Sequence, residues 1–180
     1  MIKYDEKYYY NLLKIHTDTA RRIVDIRYKF IEDNILSIDR LPEPTILDYG
    51  SGVGFMKALA PEWVHQVDTF DIMPVPTTGI TREKYDIICF FDVLEHIPDF
   101  SDVMPILKKC KYAYITVPMK PNDLTWKNYK HFKPSEHIHY FTDDLLKYIF
   151  EYMGFDFLVS GSPECPPRQH IMSYIFKRRQ

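Results

Sequence analysis

Three of the chain's six glycines stand within five positions, as Gly50, Gly52 and Gly54. They follow the apolar run Thr45-Ile46-Leu47-Asp48-Tyr49 and lead into a helix-forming stretch. At such a bend glycine permits positive φ and lets a ligand approach the backbone closely. The free N–H groups of a helix start favour an anionic or polar ligand group. Asp71 closes a second apolar run, Val67-Asp68-Thr69-Phe70, about 20 residues further on, the separation expected in nucleoside-binding sheets. A carboxylate there can accept hydrogen bonds from both hydroxyls of a ribose. Bend and acid together point to an adenosine-type ligand. The pattern G-x-G-x-x-G of nicotinamide binders would need glycine where Phe55 stands, and Gly54-Phe55-Met56-Lys57 does not supply the Gly-Lys-Ser/Thr of a phosphate loop.

A second set of chemical groups lies further along. Asp92, Glu95 and His96 have i, i+3, i+4 spacing, so one helical turn would place them on one face. His137 and His139 alternate, so an extended chain would point both the same way. Three readings stay open. Glu95 and His96 can cap and orient loops; one of His96, His137 and His139 can act as general base on a hydroxyl, with Glu95 beside it; or the Glu/His set can hold a divalent ion. Spacing across a long loop proves no geometry, so no metal ligand is assigned.

These groups need a scaffold. Val24, Tyr28, Ile31, Ile35 and Ile38 recur at helical spacing, within a helical region expected over 5–38 with a break near His16-Thr17-Asp18. After Pro42 and Pro44 short strands alternate with helices. Strands are expected at Thr45–Tyr49, Val67–Phe70, Tyr85–Phe91, Tyr112–Val117, Phe155–Val159 and Ile171–Phe176, and a short one around Gly79-Ile80. Helices are expected from the glycine bend to about Ala60, from Asp99 to Lys109, and from Thr142 to a stop at Gly154. The alternation implies an α/β fold with a doubly wound, mostly parallel sheet. No helix pattern separates the last two strands, so they are expected to pair antiparallel.

The 118–141 loop carries four lysines (Lys120, Lys127, Lys130, Lys133) against Asp123 and Glu136, a local charge of +2, interleaved with Trp126, Tyr129, His131 and Phe132. It either grips an anionic or ring-bearing acceptor or packs its aromatics as a lid edge. Tyr4, Tyr8, Tyr9 and Tyr10 form a lid over the bound ligand or a plain packing face. Arg21 and Arg22 read as solvated helix charges.

Composition bounds the rest. With 46% hydrophobic and 27% charged residues the chain is neither disordered nor collagen-like. Its net charge of −2 gives no nucleic-acid footprint, and Lys177-Arg178-Arg179 is too short to supply one. Three cysteines without C-x-x-C spacing suit a reducing compartment. No signal-peptide core opens the sequence and no apolar run approaches the ~18 residues of a spanning helix. A cytoplasmic protein of one domain, with no membrane partner, is expected: a helical lid at 1–42, a ligand-binding half at 45–117, a substrate loop at 118–141, and a C-terminal helix and hairpin at 142–180.

Asp48-Tyr49-Gly50-Ser51-Gly52-Val53-Gly54 resembles the first motif of class I S-adenosylmethionine-dependent methyltransferases. Phe90 to Asp99 resembles that family's fourth motif region, particularly in the branch of ubiquinone-biosynthesis O-methyltransferases. His131 to Thr142 resembles the segment after that branch's fifth strand. The resemblance spans 45 to about 160 and implies a Rossmann-like sheet with an antiparallel C-terminal strand. By it, Asp48 and Gly50 would hold the methionyl end of S-adenosylmethionine, Gly52 and Gly54 would admit its backbone contact, and Ser51 would belong to the same cofactor-binding set. Asp71 would take the ribose hydroxyls, Phe91 and Asp92 would flank the sulfonium, and Leu94 to His96 would face the substrate. The stretch from Asp71 to Asp86 is too short for the family's third strand with its helices, and no adenine-pocket residue is assigned. The expected activity is methyl transfer to a small-molecule O- or N-acceptor, releasing S-adenosylhomocysteine. The alternatives are a metal-assisted RNA-end or nucleotide methyltransferase, and a cofactor-binding partner subunit without catalysis.

Overall fold

A computed structural model describes residues 17–179. The helical expectation over 5–16, and the N-terminal tyrosines, lie outside the described residues.

Six strands form one sheet in the order β2-β1-β3-β4-β6-β5. They are β1 (Thr45–Tyr49), β2 (Gln66–Phe70), β3 (Tyr85–Phe91), β4 (Cys110–Pro118), β5 (Phe155–Gly161) and β6 (Ile171–Arg178). The first four pair in parallel, while β6 runs antiparallel to both β4 and β5. Registers Tyr49↔Phe70 and Tyr49↔Phe90 bring the ends of β2, β1 and β3 level. The loops beginning at Gly50, Asp71 and Asp92 therefore leave the sheet side by side. The chain crosses from β1 to β2 on one side and to β3 on the other, the switch point at which doubly wound sheets bind ligands.

Alternation along β3 feeds both faces of the sheet. Ile88 and Phe90 join the core under α3 (Met104–Leu107) and α4 (Asp143–Tyr152), with Leu107, Leu146 and Phe150. Ile87, Cys89 and Phe91 join the core under α1 (Thr17–Ile31) and α2 (Phe55–Ala58), with Val24, Tyr28, Ile31 and Met56. The Tyr28 hydroxyl donates to the Met56 carbonyl at 2.6 Å, tying α1 to α2. Cys89 and Cys110 are buried and reduced. No helix among the described residues is long and apolar enough to cross a membrane.

Prolines account for most departures from expectation. The helix after the glycine bend is only Phe55–Ala58, because Pro61 disfavours helical backbone just before it. The expected Asp99–Lys109 helix is a 3-10 turn at Phe100–Asp102 and then α3, where Pro105 fits the first turn but has no N–H to continue an earlier one. No strand forms at Gly79-Ile80, in a segment that holds Pro74 and Pro76. The segment meets the β2 backbone at Thr69: Gly79 N–H donates to the Thr69 carbonyl at 3.0 Å, and the Thr78 hydroxyl accepts from Thr69 N–H at 2.7 Å. At the end of the apolar stripe a π-type turn over Glu32–Leu36 changes the pitch, leaving Ile38 exposed (61%) while Ile35 is fully buried. In α4 the Thr142 hydroxyl caps the start through Leu145 N–H, and Gly154 at φ 87° ends the helix, as expected.

Candidate functional site

Gly50, Gly52 and Gly54 hold φ of 81°, 53° and 79°. At Gly50 the requirement is double. A Cβ there would lie 2.3 Å from Val93 Cγ2, on the loop leaving β3. The bend is anchored to β2, since Gly50 and Ser51 N–H both donate to the Phe70 carbonyl, at 2.7 and 3.1 Å. Asp71 braces it further: Oδ2 accepts from Gly52 N–H at 2.7 Å and Oδ1 from Met73 N–H at 2.8 Å. Each oxygen keeps a lone pair for a ligand hydroxyl. The Ser51 hydroxyl is buried without a partner among the described residues.

Behind the bend, the Asp48 carboxyl is 3% exposed. Burial pushes its pKa up to about 7, Arg27 pulling it down and Asp71 adding to the rise, with no hydrogen bond contributing. An uncompensated buried carboxylate is costly, and a cation placed beside it repays that cost.

The end of β3 carries an ion network that sequence reasoning does not anticipate. Asp92 stands in left-handed backbone, φ 57°, and its Oδ2 accepts from the Arg168 guanidinium at 2.6 Å. Arg168 also binds Glu164 at 2.7 Å, and Glu164, fully buried, accepts from Arg27 Nε at 2.8 Å. Arg27 lies 3.9 Å above the Phe91 ring and 3.9 Å from Asp92. Two cations and two anions thus join α1, the end of β3 and the β5–β6 connection. Burial opposes the charge on Arg168, yet Asp92 and Glu164 outweigh it and raise its pKa. Phe91 is accordingly covered by a guanidinium, and its ring meets Tyr114 edge to face at 4.9 Å.

Glu95 and His96 sit on a 3-10 turn, Leu94–His96. Asp92 does not share their face, because its left-handed backbone turns it to Arg168. The 118–141 loop instead supplies the third group. His137 meets His96 edge to face with ring centroids 4.8 Å apart, and Glu95, His96 and His137 offer ligand atoms within 4.8 Å of one another. His139 is directed elsewhere: Nε2 contacts the Ile97 carbonyl at 2.8 Å and the ring packs on Phe100. Burial, with Asp92 close by, pushes the Glu95 carboxyl well above its ordinary pKa. Burial, with His96 close by, lowers that of His137. Further along the loop Trp126 is 45% exposed and touches Phe132 and Tyr140, at centroid distances of 5.3 and 5.2 Å. Tyr140 lies 6.1 Å from His137, so this aromatic patch adjoins the histidines.

Residues 21–160 match the family model described as Methyltransferase domain. Comparison with curated proteins finds no match. Among solved structures, the chain is similar to Burkholderia thailandensis 1,6-didemethyltoxoflavin-N1-methyltransferase with bound 1,6-didemethyltoxoflavin and S-adenosylhomocysteine. That likeness has a TM-score of 0.68 at 16% identity, over 97% of this chain and 85% of the other. It is also similar to magnesium protoporphyrin IX methyltransferase from Synechocystis with bound S-adenosylhomocysteine (TM-score 0.62, 17% identity, 88% and 83% covered). A third is an S-adenosylmethionine-dependent methyltransferase from Clostridium acetobutylicum (TM-score 0.62, 12% identity, 97% of each chain).

Proposed function

Since the chain belongs to the methyltransferase domain family and is an S-adenosylmethionine-dependent methyltransferase, we propose that it methylates an oxygen or nitrogen of a small, ring-bearing acceptor. The residues at the glycine bend fit the donor. Asp48 is a buried carboxylate without a hydrogen-bonded partner, suited to the methionyl ammonium. The Ser51 hydroxyl adds a free polar group, and Asp71, held by Gly52, offers its remaining lone pairs to ribose hydroxyls. When bound, S-adenosylmethionine supplies a methyl group on a positively charged sulfur. The protein's task is then chiefly to align donor and acceptor in a dry pocket. Asp92 Oδ2 is paired with Arg168, while its Oδ1 is buried without a partner among the described residues.

For the acceptor, Glu95, His96 and His137 are the polar groups at hand, and Trp126, Phe132 and Tyr140 offer a stacking surface. Two of the similar structures are named for small acceptors, magnesium protoporphyrin IX and 1,6-didemethyltoxoflavin. The likeness of Phe90–Asp99 to the ubiquinone branch puts quinone precursors first among candidates. Incubation with methyl-tritiated donor and panels of quinone precursors, other ring compounds, sugars and oligonucleotides tests the reading. Label is expected in a ring compound, and label confined to oligonucleotides would overturn it.

Asp48 carries the donor half, and it gives the site a pH signature. Its raised pKa means that it favours the folded free protein fully below about pH 4 and loses that contribution as pH rises through about 7. A bound ammonium reverses the preference and lowers the pKa. Affinity for S-adenosylhomocysteine is therefore expected to rise from pH 5.5 and level off above 7, by about 30-fold overall, with a proton released at the acid end. Asp48→Asn is expected to remove that dependence and weaken the plateau by about 10–100-fold. Isothermal titration in buffers of different ionisation enthalpy reads both quantities. No binding at millimolar ligand would sink the donor assignment, while binding without pH dependence would remove Asp48 from it.

A further inference from the structure

Glu95 and His137 come from separate elements, yet both are buried with a polar atom left over. Glu95 is 1% exposed and His137 6%, and neither Glu95 Oε2 nor His137 Nδ1 has a hydrogen-bond partner among the described residues. Burying such an atom unpaired is costly, so two in one place call for a ligand. The space they share is bounded by a third ring. His96 Nδ1 lies 2.9 Å from the Glu136 carbonyl. A carbonyl only accepts, so Nδ1 carries the hydrogen and Nε2 keeps a lone pair. A ring fixed in this way by a backbone carbonyl is the usual state of a metal-binding histidine.

The scaffold holds these groups without help from an ion. Ile138 and His139 N–H both donate to the Glu95 carbonyl, at 2.8 and 3.1 Å, which pins the loop bearing His137 against the turn bearing Glu95. Asp92, the nearest carboxylate in sequence, gives Oδ2 to Arg168. Its Oδ1 is also buried without a partner among the described residues, but Asp92 is outside the cluster whose ligand atoms lie within 4.8 Å of one another.

We propose that Glu95, His96 and His137 form a binding site for one divalent transition-metal ion, with Zn2+ and Mn2+ as its probes. Two imidazoles and one carboxylate favour such an ion over Ca2+ or Mg2+, which prefer all-oxygen shells. The ligand atoms, now within 4.8 Å of one another, draw in toward the roughly 3.4 Å edge of a tetrahedral site with bonds near 2.1 Å. Three protein ligands leave at least one position for water or an acceptor atom. The ion would join the turn after β3 to the 118–141 loop.

The test needs no methyl transfer. Untagged full-length chain is stripped with chelator and titrated with Zn2+, Mn2+ and Mg2+ by calorimetry and by thermal unfolding. One ion per chain is expected, with Tm rising by about 5–10 °C at a hundredfold excess over Kd for Zn2+ or Mn2+ and little change for Mg2+. Glu95→Gln and His137→Gln are expected to abolish the response, while His65→Gln, on the far surface, retains it. Substoichiometric binding, or binding unchanged in both site variants, overturns the site. Should either variant misfold, the visible spectrum of the Co2+-loaded wild type decides. Bands shifted or intensified relative to free aqueous Co2+ support a mixed nitrogen and oxygen shell, and a spectrum indistinguishable from that of the aqueous ion overturns it. S-adenosylhomocysteine titrated into the same stripped protein shows separately whether the donor assignment stands.

Discussion

Glu164→Ala is expected to destabilise the fold by about 3–5 kcal/mol, among the largest effects of any side-chain truncation in this chain. The reason is what it leaves behind. Glu164 is fully buried and is the hydrogen-bonded anion for both Arg27, at 2.8 Å, and Arg168, at 2.7 Å. Removing it strands two guanidiniums on a single carboxylate, Asp92, which holds Arg168 at 2.6 Å and Arg27 only at 3.9 Å. Among the described residues, Arg27 otherwise stacks over Phe91 and attracts the Asp48 carboxyl. A surface ion pair would contribute about 0–1 kcal/mol, so the size of the loss distinguishes a buried network from a decorative one. Urea unfolding measures it directly, and differential scanning should place Tm about 6–20 °C lower. Glu164→Gln keeps an acceptor oxygen and should lose less. A loss under 1 kcal/mol for the alanine variant would show that solvent or rearrangement satisfies both arginines.

Gly50→Ala is the second large effect, about 2–5 kcal/mol, and it should strike ligand binding as well as stability. Two costs add at this position. Left-handed backbone costs a non-glycine residue about 1–2 kcal/mol, and the new methyl would stand 2.3 Å from Val93 Cγ2, forcing the loop after β3 to move at a further ~1–3 kcal/mol. Gly54→Ala is the internal comparison. Its φ of 79° is as demanding, but a Cβ there would meet only Thr69 Cγ2, at 3.8 Å. It should cost the backbone term alone. Measured side by side, equal losses would mean that Val93 yields freely. S-adenosylhomocysteine affinity should fall sharply for Gly50→Ala, because the same bend carries Ser51 and holds Asp71 through Gly52 N–H.

These two predictions differ in how far the sequence foretells them. The glycine bend is local, and its spacing against Asp48, Asp71 and Phe55 can be read along one stretch of chain. The strands are equally legible where apolar runs are unbroken: Thr45–Tyr49 and Tyr85–Phe91 lie where expected, and β4 to β6 extend theirs by a few residues. The short helices Phe55–Ala58 and Met104–Leu107 fall short of the expected lengths because proline interrupts them where periodicity alone continues. Arg27, Glu164 and Arg168 carried no local signal at all. Arg27 reaches Glu164 across 137 positions and Arg168 reaches Asp92 across 76, and only the completed sheet brings them together. The same holds for His137, which joins Glu95 and His96 through a loop without regular structure. Asp92 shows the converse failure: its spacing to Glu95 promised a shared face, and left-handed backbone at one residue denied it.

The abbreviated stretch after β2 bears on how these molecules behave in a crowd. An outermost strand with unsatisfied amides is a template on which another chain can add a strand of its own, and β2 occupies that place here. Thr78 and Gly79 take up both backbone groups of Thr69. Pro74 and Pro76, lacking N–H groups, cannot extend the ladder. Asp68 sets a carboxylate beside the row; although burial opposes its charge, the hydroxyls of Thr81 and Tyr85 and the Gln66 amide hold its pKa below the ordinary value. The stretch 71–84, which forms no strand, thus serves as a stop to sheet growth between molecules, guarding against self-association along the β2 edge.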